Sequence, residues 1–247
     1  MKKKFVITAY RHVGKTTLVK KVLAACAGAG AVQAEAGSGA GAIDAGSVEK
    51  LGTKVCGFFT EKIDFDRGRT GAAARQGVAG EQDASDQNAG RDAMNLQDLQ
   101  TLRQNLKTPI ESGRFPVFIY PIDAKDPLGS QPIIDDDHIV GLCGCGTHYT
   151  NFEVFDTLGV EYLSAPDSQT LIVLDEVGFM EMGAEKYKEK IFEILRSDNP
   201  VLLMLKDRMD IDLIKQIRDF PGVTFIEMNE ENRDVVTQQV IGELLRQ

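Results

Sequence analysis

One stretch limits what this chain can fold into more than any other: Phe5-Val6-Ile7-Thr8, then Ala9-Tyr10-Arg11-His12-Val13-Gly14-Lys15-Thr16-Thr17. A short apolar run precedes a polar loop, and Leu18, Val19, Val22 and Leu23 follow at helical spacing. Strand, loop and helix in that order, with Gly-Lys-Thr at the helix start, have the form of a Walker A phosphate loop whose first glycine is replaced by Ala9. The chemistry explains the residue types. Backbone N–H groups wrap an oligophosphate, and the helix aims its positive end at the same charge. Lys15 is placed to reach β- and γ-phosphates, and the Thr16 hydroxyl to ligate Mg²⁺. Residues Ala9, Tyr10, Arg11, His12, Val13, Gly14, Lys15, Thr16 and Thr17 are therefore the candidate nucleotide-binding set, with a nucleoside triphosphate as the expected ligand.

A second element answers the first. Leu171-Ile172-Val173-Leu174-Asp175-Glu176 is a continuous apolar run ending in two acids, the form of a Walker B strand. Asp175 at its end is suited to hold the same Mg²⁺, and Glu176 to direct or deprotonate an attacking water. Two acids capping a surface strand are common, but the Walker A loop upstream favours the site reading. Lys15 and Glu176 are the expected catalytic residues, and Thr16 and Asp175 the expected metal ligands.

Further apolar runs lie at 54–60, 116–122, 139–143, 201–205 and 223–226, each a candidate strand. Helical spacing is present over Met94–Leu106, Asn151–Leu163, Ala184–Arg196, Ile211–Ile217 and Asn232–Leu245. Strands alternating with helices predict an α/β fold, a mostly parallel sheet covered by helices on both faces, in one domain spanning 1–247. Ligands in such sheets bind beyond the carboxyl ends of the strands, where the loop lies. Two segments interrupt the rhythm. Residues 27–50 are dominated by Ala and Gly, and residues 67–93 carry Val78 as their one sizeable hydrophobe, so both read as flexible insertions.

A net charge of −9 argues against non-specific nucleic-acid binding while leaving room for a small basic pocket. The apolar run after Met1-Lys2-Lys3-Lys4 is too short for a secretory core, and no stretch is long and apolar enough to span a membrane, so a cytoplasmic location is expected. Cys143, Cys145 and His148 could supply three metal ligands. Their Cys-x-Cys spacing is tighter than zinc sites use, which favours a glycine-rich turn with reduced thiols. The sequence identifies no protein partner.

Three further motifs carry a resemblance: Gly57-Phe58-Phe59-Thr60-Glu61, Asp175-Glu176-Val177-Gly178-Phe179-Met180-Glu181, and Pro221-Gly222-Val223 through Glu227 leading to Asn232-Arg233-Asp234. With the N-terminal phosphate loop, in this order, the chain resembles the P-loop nucleoside-triphosphatase family described in thermophiles and also called cancer-related nucleoside-triphosphatase. The resemblance implies a RecA-like sheet and Mg²⁺-dependent hydrolysis of ATP, GTP and other triphosphates with loose base selectivity. It also puts Arg67 and Arg69 where members carry basic residues after the Thr-Glu strand, and two roles are open to them: one offsets transition-state charge, or both are solvated surface arginines bordering the flexible tract. The chain departs from the family at Ala9 and at His12, where members carry glycine. Two roles are open to His12, a solvent-facing loop residue or a phosphate and pH contact, and Tyr10 is either loop packing or a base-stacking ring. Asn232 is expected to cap the last helix. Two other readings share the Walker elements: a P-loop small-molecule kinase with an acceptor pocket, and a nucleotide-binding switch with little turnover.

Overall fold

The computed structural model describes residues 3–10, 13–27, 54–65, 104, 106–107, 110, 113–123, 125–144, 149–208 and 210–245. Arg11, His12, Arg67, Arg69, Cys145 and His148 lie outside the described residues, as do both expected insertions except Ala27 and nearly all of the expected helix at 94–106.

Eight described strands form one sheet: β1 (Lys4–Ala9), β2 (Val55–Lys62), β3 (Arg114–Pro121), β4 (Ile139–Gly144), β5 (Tyr149–Thr150), β6 (Leu171–Val177), β7 (Val201–Lys206) and β8 (Thr224–Met228), in the spatial order β5-β4-β3-β2-β6-β7-β1-β8. β2, β6, β7, β1 and β8 are mutually parallel. β3, β4 and β5 continue the sheet beyond β2 as antiparallel partners. The parallel part is the expected α/β sheet. The antiparallel extension is new, because a buried apolar run does not encode strand direction.

The residues of each parallel strand divide between two cores by parity. Phe5, Ile7, Leu171, Val173, Leu202 and Met204 face one side, under Leu18, Val19 and Val22 of α1 (Lys15–Cys26) and Val236 and Val240 of α5 (Arg233–Leu245). Val6, Ile172, Leu174, Leu203 and Leu205 face the other. There they meet three helical elements. α2 runs as Phe152–Val154, a π turn at Phe155–Gly159, and Val160–Tyr162; α3 is Glu185–Arg196 and α4 Asp212–Arg218. Tyr187 of α3 anchors this second core, fully buried against the rings of Phe58 and Phe155 at 5.9 and 5.4 Å.

This order brings the carboxyl ends of β1, β7 and β6 side by side, with β7 between the loop-bearing strand and the strand ending in Asp175-Glu176. Gly57 is needed for β2 to join them. It has φ +131°, and a Cβ there would overlap the Val173 carbonyl oxygen of β6. The close approach lets the Thr60 hydroxyl donate to the Asp175 carbonyl at 3.3 Å. Asn232, expected to cap the last helix, immediately precedes it. The Asn232 amide points back, accepting from the Asn229 N–H at 2.8 Å and donating to the Glu227 carbonyl at 2.9 Å.

Gly57→Ala combines backbone strain with a clash against main chain. It is expected to destabilise the protein by on the order of 3 kcal/mol, read as a lower urea midpoint at unchanged slope.

Candidate active site

Gly14 lies between the loop and α1 with φ +108°, a left-handed conformation that favours glycine. The helix begins immediately after it, and the Gly14 carbonyl accepts the N–H of Leu18 at 2.9 Å. The first N–H groups of a helix have no partner within it, so those of Lys15, Thr16 and Thr17 open toward the end of the sheet. No side chain caps this helix. Its positive end faces the cleft.

Lys15 turns back from the first turn of α1. Its ammonium donates to the Ala9 carbonyl at 2.7 Å and lies 3.1 Å from Glu176 Oε1. Both side chains are largely sheltered, at 12% and 27% exposure, so the attraction is less screened than at an open surface. The Asp175 carboxyl sits behind this pair, 5% exposed, and accepts a hydrogen bond from the Thr16 side chain. Burial first, and the neighbouring Glu176 charge second, push the Asp175 pKa up to about 7, with Thr16, Lys15 and Lys20 pulling the other way. Thr16 and Asp175 thus present two hard oxygen donors side by side, a set that fits a small divalent cation such as Mg²⁺.

These groups border a cleft of about 570 Å³. Ala9, Tyr10, Gly14, Lys15, Thr16 and Thr17 line it from the loop and α1, and Glu176 and Phe179 from the end of β6 and the turn after it. Tyr10 is 72% exposed at the rim. Val13, expected among the nucleotide-binding residues, is outside the described cleft lining, and its side chain is buried in the core beneath α1. Lys206, Asp207 and Arg208, at the end of β7, complete the lining. Sequence reasoning misses these three and Phe179; the signal for the first three was two basic residues directly after an apolar strand. Arg208 forms a two-pronged pair with Asp210, at 2.9 and 2.8 Å. Glu61 stands away from the described cleft lining and accepts from the Tyr120 hydroxyl at 2.8 Å.

Comparison with known proteins finds nucleoside-triphosphatases. A family model described as NTPase matches residues 129–241. The nucleoside-triphosphatase THEP1 of Aquifex aeolicus is 24% identical over 98% of this chain and 99% of its own length. The corresponding protein of Thermotoga petrophila is 31% identical over 39% of this chain and 54% of its own. Among solved structures, the crystal structure of the Aquifex aeolicus protein superposes with a TM-score of 0.53 at 19% identity, covering 98% of both chains. The solution structure of a human cancer-related nucleoside triphosphatase gives 0.52 at 16% identity, over 97% of this chain and 96% of that one. The chain is similar to these nucleoside-triphosphatases in sequence, and to the two solved structures in fold.

The turn after β6 holds Gly178 and Glu181 of the Asp-Glu-x-Gly-x-Met-Glu segment. The Glu181 carboxyl is buried, at 4% exposure, and accepts the Gly178 N–H at 2.8 Å. It folds residues 178–181 into a compact turn directly behind Glu176. Burial raises its pKa from 4.5 to about 7, opposed by the backbone bonds from Gly178 and Glu181 and the charge of Lys206. No described helix is long and apolar enough to cross a membrane. Among the described residues no cluster of three or more His, Cys, Asp or Glu is arranged for a metal.

The Glu181 shift has a pH consequence. A carboxyl with a raised folded-state pKa stabilises most below its unfolded value, here 4.5, and loses that contribution as pH rises toward about 7. Glu181→Gln keeps an acceptor for Gly178 and removes the ionisation. Stability of the ligand-free variant, from urea midpoints between pH 5 and 8, should decline less with pH than that of the parent, by on the order of 3 kcal/mol at most.

Proposed function

We propose that this chain is a Mg²⁺-dependent nucleoside-triphosphate hydrolase that takes ATP, GTP and related triphosphates with loose base selectivity and releases the diphosphate and phosphate. The observation that carries the proposal is the convergence of Lys15, Glu176 and the amino end of α1 on one cleft.

The triphosphate enters as a polyanion and competes with Glu176 for the Lys15 ammonium. The first N–H groups of α1 and the Lys15 charge hold the β- and γ-phosphates, an electrostatic task that a preorganised, sheltered site performs better than water does. Once Lys15 has turned to the phosphates, the Glu176 carboxylate is released to accept a proton. The water oxygen bonds to the γ-phosphorus while the bond from that phosphorus to the β–γ bridging oxygen breaks. The water proton passes to Glu176, and the bridging electron pair stays with the diphosphate. Thr16 and Asp175 would hold Mg²⁺, which supplies charge neutralisation on the phosphate oxygens when bound. Tyr10, the exposed ring at the rim, offers a stacking surface that any base can use, which suits loose selectivity.

Three results are expected from phosphate release over a panel of triphosphates. The parent chain turns over ATP and GTP, and a chelator stops it. Lys15→Ala lowers kcat/KM by on the order of 10³-fold. Glu176→Gln retains nucleotide but loses kcat by about 10²- to 10⁴-fold. Unchanged turnover in Glu176→Gln would remove that residue as the base, and turnover only on addition of an acceptor would make the chain a kinase.

A further inference from the structure

Between the two strands that carry the Walker residues lies β7, and its last residue, Lys206, enters the cleft beside them. How its side chain gets there is specific. The stem lies flat over Gly178: a Cβ on that glycine would meet Lys206 Cδ at 2.7 Å, Cβ at 3.2 Å and Cγ at 3.3 Å. Gly178 has no positive φ, so glycine is required there for space rather than for backbone conformation. The ammonium is carried on over the ring of Phe179, 4.7 Å from its centroid. Phe179 also lines the cleft. The turn beneath is pinned by the Glu181 carboxyl on the Gly178 N–H.

Gly178, Phe179 and Glu181 therefore form a seat for one cation from a different strand. The other basic side chain at this end of β7, Arg208, is engaged by Asp210 through two hydrogen bonds. Lys15 serves the same cleft from the start of α1. A cation at the end of the strand between the two Walker strands lies over the turn that directly follows Glu176, the base in the reading above.

We propose that Lys206 is a second phosphate-contacting cation of this site, held by the Gly178–Phe179 seat so that it binds the terminal phosphate and lets the cleft distinguish triphosphate from diphosphate. This rests on the triphosphatase reading of the cleft. The cation–ring contact holds the ammonium while leaving it open to an anion, which a salt bridge would not do. When the γ-phosphate leaves, Lys206 loses its anion and the Walker B turn loses the contact that tied it to the nucleotide. The seat thereby links the phosphate content of the cleft to the position of Glu176.

The test measures binding of a non-hydrolysable ATP analogue and of ADP, each with Mg²⁺, together with phosphate release from ATP. Lys206→Met keeps an unbranched stem over Gly178 and removes the charge. It should weaken the triphosphate analogue roughly tenfold while ADP affinity stays within about twofold, and lower kcat by on the order of 10²-fold. Lys206→Arg should recover most of the discrimination. Gly178→Ala, which displaces the Lys206 stem, should lose discrimination in the parent background and add no further loss to Lys206→Met. Equal weakening of analogue and ADP would overturn the assignment to the terminal phosphate, and unchanged affinities and rate would remove Lys206 from the site. Those results require a parent chain that binds and hydrolyses ATP. A parent that binds neither nucleotide would overturn the triphosphatase reading itself.

Discussion

Lys15 holds two acceptors that belong to different strands, the Ala9 carbonyl at the end of β1 and the Glu176 carboxylate at the end of β6. That bridge spans the width of β7 and closes the cleft around a single ammonium. It depends on the sheet being parallel there, because only then do three carboxyl ends open onto one edge. It also depends on α1 starting immediately after Gly14, since the same residue must supply both a free N–H and the cation. A triphosphate needs both, and it is the ligand whose charge can draw Lys15 away from Glu176. The resting ion pair thus keeps the proposed base occupied until a polyanion arrives.

Several residues of the motifs that carry the resemblance make contacts that support this edge. Gly57 lets β2 press against β6, and Thr60 then fastens the Asp175 carbonyl. Gly178 gives room for the Lys206 stem, and Glu181 pins the turn that contains it. Glu181 and Asp175 are both buried acids with raised pKa values. The cost of burying them is tolerated because each accepts a hydrogen bond that holds part of the cleft in place.

The phosphate loop and the Asp175-Glu176 strand are legible in the sequence because each is a local pattern, complete within about fifteen residues. The alternation of strands and helices is legible for the same reason, and so the parallel core follows. The antiparallel extension is not, since Val117, Ile119 and Val140 are buried as fully as parallel strands would be. Lys206 and Phe179 escape because their meeting depends on β7 lying between β1 and β6, a fact of strand order that no spacing reveals. Lys4 is another such case. It closes a run of three lysines that the sequence offers only as a charged segment before the apolar run, yet it is the first residue of β1, buried, donating to the Ser197 and Asn199 carbonyls at 2.6 and 3.4 Å. It fastens the end of β1 remote from the cleft.

The most direct examination of this account is a crystal structure of the chain with a non-hydrolysable triphosphate and Mg²⁺. The account requires the Lys15 ammonium to have left Glu176 for the β- and γ-phosphate oxygens, with the Glu176 carboxylate turned toward the γ-phosphorus. A triphosphate bound elsewhere, with the 3.1 Å contact between Lys15 and Glu176 intact, would contradict it.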